Sequence, residues 1–195
     1  MDTIDVIKNW IDKESQVLDL GCGDGKILNI LTKELGVTAL GVEINQENLN
    51  ECINLGLNVI QQNIDEGLSN FSNKSFDVVI MSQTIQVLKE PKQALLEVTR
   101  IGKESIVTIP NFGHWATRLN LLLSGRMPVT GALPNNWHDT ENIHLCTIKD
   151  FEVLCSECGI DILEKRFFNG SGKEKGLTHI IPNAFAATAI YKISK

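Results

Sequence analysis

The most informative segment of the chain is Val17-Leu18-Asp19-Leu20-Gly21-Cys22-Gly23-Asp24-Gly25. An apolar run leads into three glycines at alternate positions, which predicts a strand that ends at Leu20, a tight turn, and a helix that begins near Lys26. Glycine tolerates positive φ and lets the backbone approach a ligand closely. The start of a helix also offers free N–H groups to an anion. The segment therefore predicts a small-ligand site at this turn.

The chain has 195 residues and a net charge of −6. This length suits one core, so we expect a single domain over residues 1–195. Clustered Lys and Arg are missing, which argues against a nucleic-acid partner. The sequence has no apolar stretch long enough to cross a bilayer and no secretory signal at its start, so we expect no membrane association. Five cysteines, an odd number, favour reduced thiols in a cytoplasm.

Predicted strands and helices alternate along the chain. We expect seven strands, at Gln16–Leu20, Thr38–Glu43, Leu57–Gln61, Phe76–Met81, Ser105–Pro110, Ile160–Arg166 and Ala184–Ile193. We expect helices at Thr3–Ile11, at Lys26–Leu35, from an Asn45 cap to Gly56, at Pro91–Arg100, and from a Thr147 cap to Gly159, with an irregular insert at about 111–147. This order predicts an α/β fold with three layers and a doubly wound, mainly parallel sheet. Ligands of such sheets bind beyond the carboxyl ends of the strands, where the strand order reverses.

The spacing of the glycines does not match a nicotinamide site. Gly21 and Gly23 fit the first two places of Gly-x-Gly-x-x-Gly, but the third place holds Lys26, and Gly25 comes one residue early. With Asp19 in front, the segment resembles motif I of the class I S-adenosylmethionine-dependent methyltransferases. The resemblance implies a seven-stranded sheet with an antiparallel last strand and a cofactor, S-adenosylmethionine or S-adenosylhomocysteine. The loop residues that it implies for this cofactor are Asp19, Gly21, Cys22, Gly23 and Gly25.

Later strand ends add to this predicted site. Glu43 ends the second strand at the spacing where an acidic side chain accepts hydrogen bonds from ribose hydroxyls. Ile44 could pack on adenine, and Asn63-Ile64-Asp65 resembles the adenine contact of the same class of protein. Asp65 could equally cap the turn that follows it. After the fourth strand, Ser82, Gln83 and Thr84 would supply backbone groups near the methionine moiety.

The second half of the chain carries a more specific resemblance. The blocks that carry it are Ser82–Gln86, Pro110–Trp115, Gly125–Thr130, Trp137–Thr140 and Asn142–Thr147. Together they resemble the MetW family of methionine biosynthesis proteins, from about residue 5 to residue 192; a familiar form of the fourth block has Tyr in place of His138. The family implies a methyltransferase fold and a protein that binds and supports homoserine O-acyltransferase. We expect that function, with a genuine methyltransferase acting on an unknown small molecule as the alternative.

Candidates for catalysis are confined to the insert. His114, His138 and His144 could supply a general base, or they could hydrogen-bond an irregular loop that has many backbone groups to satisfy. His144-x-Cys146 lacks a second ligand pair at zinc spacing, so we expect no metal. Cys155-x-x-Cys158 fits a redox spacing, but Phe151, Leu154 and both cysteines share one helix face, which favours a core position.

The insert also contains Trp115, Leu119 and Leu122 at helical spacing. An apolar row of this kind could form a lid over the cofactor, a surface for a partner, or part of the core. The sequence does not separate these three interpretations.

Overall fold

The computed structural model describes residues 2–130, 135–140, 143–174 and 176–195. Parts of the insert, including Asn142 of the last sequence block, lie outside these residues. The strands within them are β1 (Gln16–Leu20), β2 (Thr38–Glu43), β3 (Val59–Gln61), β4 (Phe76–Ser82), β5 (Gly102–Pro110), β6 (Asp161–Phe168) and β7 (Thr188–Ser194). The helices are α1 (Thr3–Asn9), α2 (Lys26–Leu35), α3 (Gln46–Asn54), α4 (Pro91–Ile101), α5 (Trp115–Ser124), α6 (Ile148–Glu157), α7 (Gly176–Ile180) and α8 (Pro182–Phe185), with 3-10 turns at Ile64–Glu66 and Ile85–Val87.

The strands form a seven-stranded sheet in the order β3-β2-β1-β4-β5-β7-β6. Neighbours from β3 to β5 are parallel, and β7 runs antiparallel to both β5 and β6. Strand β1 lies between β2 and β4, with Leu18 opposite Leu40 on one side and Val79 on the other. The order of the strands reverses between β1 and β4. The turn that follows β1 therefore lies where doubly wound sheets bind ligands.

Helices cover both faces of the sheet, which explains why the strands are apolar on both sides. Alternate residues of β1 enter different clusters: Leu18 packs in the core of one face and Val17 in the core of the other. A strand that is buried on both faces reads as a continuous apolar run, as β4 does with Val78, Val79 and Ile80. The predicted three-layer α/β architecture is confirmed.

Several predicted helix ends are confirmed. The Asn45 side chain accepts from the N–H groups of Glu47 and Asn48, and Thr147 forms a capping box with Asp150. These side chains satisfy N–H groups that have no partner within the helix. Pro91 occupies the first turn of α4.

The expected start of the last strand at Ala184 is wrong. Residues Pro182–Phe185 form α8, and β7 begins only at Thr188. Proline is favourable in the first turn of a helix, and the Ala186 N–H donates to the Pro182 carbonyl at 2.9 Å. The insert is not irregular throughout either, because it contains the ten-residue helix α5. Within the described residues, no helix is both long and apolar enough to cross a membrane.

Candidate ligand-binding site

All three glycines of the turn behind β1 have positive φ, at 77° for Gly21, 53° for Gly23 and 75° for Gly25. A Cβ on Gly21 would lie 2.5 Å from Thr84 Oγ1, and one on Gly25 would lie 2.6 Å from Leu57 Cδ1. A Cβ on Gly23 would meet nothing within 4 Å. Gly21 and Gly25 therefore serve close packing as well as the turn, whereas Gly23 faces open space.

The Glu43 side chain connects the glycine turn to the end of β2 through hydrogen bonds. One carboxylate oxygen accepts the Gly23 N–H at 2.9 Å, and the other accepts the N–H groups of Ile44 and Asn45, each at 2.8 Å. The side chain is only 8% exposed. Two carboxylate oxygens have about four acceptor positions, so three backbone donors leave room for a further hydrogen bond. Nothing in the sequence indicates that the Glu43 side chain accepts hydrogen bonds from these backbone N–H groups.

Asp19 is a buried acid with an unsatisfied oxygen. It is 1% exposed, and its Oδ1 has no hydrogen-bond partner in the part of the chain that the structure describes. Burial, and then the nearby charge of Glu43, raise the pKa of Asp19 to about 7. Buried polar atoms are normally hydrogen-bonded. The unpaired Oδ1 of Asp19 therefore makes the end of β1 a candidate position for a hydrogen-bond donor.

A cleft of about 650 Å³ opens between the carboxyl ends of the strands and the segment 84–89, which we call the post-β4 segment. Seven of the predicted site residues line it: Gly21, Glu43, Ile44, Asn63, Ile64, Asp65 and Thr84. The other lining residues, which sequence reasoning missed, are Val42, Asn45, Asn48, Gln62, Val87, Leu88 and Lys89. The predicted residues that are not among those found to line it are Asp19, Cys22, Gly23, Gly25, Ser82 and Gln83. Its position directly after the end of β3 is the sequence signal that could have found Gln62.

The wall behind β3 is tied to the post-β4 segment. Asp65 Oδ1 accepts the Lys89 N–H at 2.9 Å. The capping role that the sequence left open for Asp65 belongs instead to Asn63, whose Oδ1 accepts the Asp65 N–H at 3.1 Å. On the opposite wall, the Ile44 side chain is 58% exposed. It is an apolar surface onto which a planar ring can pack.

The backbone turns sharply where β4 ends. Gln83 has a φ of 56°, an unusual value for a residue with a side chain. Its N–H donates to Thr108 Oγ1 at 2.9 Å, and Ser82 Oγ lies 3.1 Å from the same hydroxyl. Thr108 of β5 thus holds two of the three residues that the sequence placed near the methionine moiety. Strained backbone of this kind is concentrated at functional sites.

Gln86 joins the post-β4 segment to the insert. Its Nε2 donates to the Gln83 carbonyl at 2.7 Å, and its own carbonyl accepts the N–H groups of Ile143 and His144 at 3.1 and 3.0 Å. Gln86 is 4% exposed, and within the described residues its Oε1 has no partner. Exchange of the two amide atoms would lose the bond to Gln83, so the orphaned atom is the oxygen.

The three candidate histidines each have a local partner. His114 caps α5, since its Nδ1 accepts the Ala116 N–H at 3.3 Å, and burial lowers the pKa of His114. His138 Nε2 lies 3.2 Å from Asp139 Oδ2, and His144 Nε2 lies 3.3 Å from the Lys89 carbonyl oxygen. As far as the structure describes the chain, none of the three lines the 650 Å³ cleft. Over the same residues, no group of three or more His, Cys, Asp or Glu side chains could hold a metal ion.

The cysteines are packing residues. Cys22 Sγ lies 4.0 Å from Cys52 Sγ behind the glycine turn, and burial raises the pKa of both thiols. Only the backbone of Cys22 is therefore available to a ligand. Cys155 is fully buried, and burial raises its pKa to about 12. A buried thiol of this kind is inert. This agrees with the prediction that Cys155 and Cys158 lie in the core.

A seven-stranded sheet with an antiparallel β7 and a glycine turn at the point of strand reversal defines the class I methyltransferase fold. A crystal structure of an S-adenosylmethionine-dependent methyltransferase from Archaeoglobus fulgidus matches this fold with a TM-score of 0.68 at 17% identity, covering 99% of this chain and 95% of that chain. Within this class the particular family is clear. The chain belongs to the MetW family, because the family described as "Methionine biosynthesis protein MetW" matches residues 2–193.

Curated relatives agree with this assignment. A bifunctional methionine biosynthesis protein MetXA/MetW from Rhodopirellula baltica is 31% identical over 185 residues, which are 90% of this chain and 30% of that protein. A ubiquinone biosynthesis O-methyltransferase from Rickettsia bellii is 28% identical over 131 residues, which are 64% of this chain and 53% of that protein. The chain thus spans less than two thirds of the length of these relatives.

Proposed function

We propose that this chain binds S-adenosylmethionine or S-adenosylhomocysteine in the 650 Å³ cleft and, in that role, binds and supports homoserine O-acyltransferase. The observation that carries the ligand assignment is the pair of acidic side chains at the glycine turn. Asp19 has an unsatisfied buried oxygen, and Glu43 retains an acceptor position after its three backbone contacts. Glu43 lines the cleft, and Asp19 is buried next to its glycine turn. The two candidate ligands carry two ribose hydroxyls and an ammonium group, which are hydrogen-bond donors of the kind that these acids would accept.

The remaining parts of the cleft fit the same ligands. A volume of about 650 Å³ lies within the range of small-molecule sites. The exposed Ile44 side chain offers an apolar face to adenine, and the open side of Gly23 lets the ligand approach the backbone. Asn63 and Asp65, at the end of β3, would contact the polar edge of the base. These are roles for binding and do not by themselves include transfer of a methyl group.

Support for the partner comes from the relative in Rhodopirellula baltica, whose name joins MetXA and MetW in one protein. The matched region covers 30% of that protein, so most of its length lies outside the MetW-like part. A fusion keeps two functions of one pathway permanently together. We take MetXA to be the homoserine O-acyltransferase that the family resemblance implies.

The alternative function is methyl transfer to a small molecule. It is favoured by the orphaned Oε1 of Gln86, which lies beside the strained Gln83 and could bind a donor group of an acceptor substrate. Methyl transfer needs mainly positioning of the two reactants. The position of the three histidines outside the cleft lining therefore does not exclude it. The fold is shared by proteins with different functions, and it does not choose between the two proposals.

The decisive experiment measures binding and rate separately. Calorimetry with S-adenosylhomocysteine, with NAD as the control ligand, tests the cleft, and we expect binding of the first alone. The acyltransferase from the same organism is then assayed with and without this protein. A change in its rate supports the proposed function. Turnover of S-adenosylmethionine with an acceptor, and no effect on the acyltransferase, would establish the alternative.

A further inference from the structure

Helix α5 presents its apolar side away from the protein. Trp115, Leu119, Leu122 and Leu123 lie at positions i, i+4, i+7 and i+8 of the helix, and they therefore form one stripe. Their exposed fractions are 49%, 44%, 80% and 76%. Thr117, on the opposite side of the helix, is the buried residue of α5, and Leu121 on that same side is 39% exposed. A helix on a soluble domain normally turns its apolar side inward, and this one does the reverse.

The base of α5 is firmly attached to the protein. Asn111 is 1% exposed; its Nδ2 donates to the carbonyl oxygens of Asn183 and Ala186, and its Oδ1 accepts the Gly113 N–H. Arg118 donates to the carbonyl oxygens of Gly113 and Asn183. The start of α5 is thus held by buried and half-buried hydrogen bonds. The stripe extends from this anchored end of the helix.

We infer that the stripe Trp115-Leu119-Leu122-Leu123 is the surface that docks into an apolar groove of homoserine O-acyltransferase. The i, i+4, i+7, i+8 pattern is that of an amphipathic helix laid in a groove of its partner. Tryptophan and a cluster of large apolar side chains are also typical of the centre of an interface. The inference rests on the proposed function, because the proposed function supplies the partner.

The charges near α5 indicate which charges the partner should carry around its groove. Residues 111–130 contain Arg118 and Arg126 and no acidic residue, although the whole chain has a net charge of −6. Both arginines are exposed, so the α5 region carries positive charge on a chain that is acidic overall. We expect carboxylates on the partner near Arg126, since complementary charge guides association and fixes orientation.

A second copy of this chain is a poorer occupant. Helix α5 has ten residues, which is a length of about 15 Å. Two helices of this length meet over a short contact, whereas a stable interface buries ~1,200 Å² or more. A groove that encloses the helix from several sides buries more of the exposed leucines. The MetXA/MetW fusion also points to a different protein rather than to a second copy.

The test is a binding titration of purified protein with the acyltransferase from the same organism. The stripe variant is Leu122→Glu with Leu123→Glu, and the matched control is Ile53→Glu with Val153→Glu, which places the same two charges on exposed apolar residues of α3 and α6. We expect the stripe variant to lose at least about 30-fold in affinity and the control to bind like the wild type. Calorimetry with S-adenosylhomocysteine checks that each variant is folded, and we expect unchanged ligand affinity.

The outcomes separate the two proposals. If the wild type binds the acyltransferase and the stripe variant binds equally well, the docking surface is wrong and the proposed partnership stands. If the wild type does not bind, the partnership itself is wrong. If the wild type is a dimer that the stripe variant dissolves, the occupant is a second copy and the inference is overturned. A charge reversal, Arg126→Glu, is expected to slow association and to reduce its salt dependence.

Discussion

The three glycines of the turn have different roles in the structure, although they are the same residue type at regular spacing in the sequence. Gly21 and Gly25 are crowded by Thr84 and Leu57, whereas Gly23 faces open space and donates its N–H to Glu43. Gly21 and Gly25 are therefore required for close packing, although Gly21 also lines the cleft, whereas a side chain at Gly23 would meet no protein atom within 4 Å. The alternation of glycines predicts the turn, but it does not predict which glycine has which role, because that depends on neighbours from other strands.

The Gly23→Val variant separates these roles. A side chain at a φ of 53° costs about 1–2 kcal/mol of folding free energy, and the isopropyl group occupies the space that the ligand needs. We expect affinity for S-adenosylhomocysteine in calorimetry to fall at least tenfold. Gly21→Ala is the comparison, since its Cβ would lie 2.5 Å from Thr84 Oγ1 and should destabilise the fold itself in urea unfolding. Wild-type affinity in Gly23→Val would contradict the position of the site.

Asp19 makes a pH-dependent prediction. Its pKa of about 7 is above the ordinary value of an unfolded chain, so its contribution to stability is fully present below about pH 4 and is lost as the pH rises through 7. The ligand-free protein should lose up to a few kcal/mol of unfolding free energy over this window, and Asp19→Asn should remove most of the slope. Urea unfolding at a series of pH values measures it.

The same acid links ligand binding to protons. A bound ammonium group favours the ionised form of Asp19, so binding below pH 7 releases a proton and affinity rises with pH up to that value. Calorimetry in two buffers of different ionisation enthalpy counts the released proton. Affinity that does not change between pH 5.5 and 7.5 would show that Asp19 does not meet a cation.

Among the elements, the insert shows how a few buried hydrogen bonds position a helix. Asn111 connects the end of β5 to α8 and to the start of α6, where its Oδ1 accepts the Ile148 N–H at 3.4 Å. The helical spacing of Trp115 and Leu119 is visible in the sequence, and α5 forms as that spacing suggests. The direction in which the apolar side points is decided by Asn111, Arg118 and their distant carbonyl partners. The sequence therefore left core, lid and partner surface open.

Removal of the Asn111 side chain should loosen this arrangement. Asn111→Ala leaves buried carbonyl and N–H groups without partners, which costs about 1–3 kcal/mol. We expect that loss in urea unfolding, together with faster hydrogen exchange in α8. Asn120→Ala, an exposed position in α5, is the matched control and should change stability by less than about 0.5 kcal/mol. Equal effects of the two variants would mean that Asn111 does not anchor the insert.

The whole molecule connects the ligand cleft to the insert through the post-β4 segment. Asp65, in the cleft, accepts the Lys89 N–H, and the carbonyl oxygens of Gln86 and Lys89 contact Ile143 and His144 of the insert. The same segment lines the cleft with Thr84, Val87, Leu88 and Lys89. A ligand that orders this segment therefore also orders the part of the insert bonded to it.

Hydrogen exchange tests the connection. Saturating S-adenosylhomocysteine should slow exchange of the amides of Ile143 and His144, whose N–H groups donate to the Gln86 carbonyl. Amides of β6 and β7, at the far edge of the sheet, serve as the internal reference and should change little. Protection confined to the cleft, with none in the insert, would show that ligand binding is not transmitted along this route.

Local spacing determined much of this protein. Apolar runs, capping residues such as Asn45 and Thr147, and the glycine turn specify most of the elements because they act over a few neighbouring residues. They also specify the ligand end of the sheet, because the carboxyl ends of parallel strands meet there. The resemblance to the MetW family rests on motifs that the chain displays directly, and the family match over residues 2–193 confirms it.

Only the tertiary structure decided which groups lack partners. The unsatisfied oxygens of Asp19 and Gln86, the three backbone donors on Glu43, and the outward direction of the α5 stripe all depend on contacts between residues far apart in sequence. Burial and hydrogen-bond satisfaction are properties of the assembled chain, and no local spacing encodes them. The proposed ligand rests on the unpaired oxygens and free acceptor positions, and the proposed docking surface rests on the exposed apolar stripe.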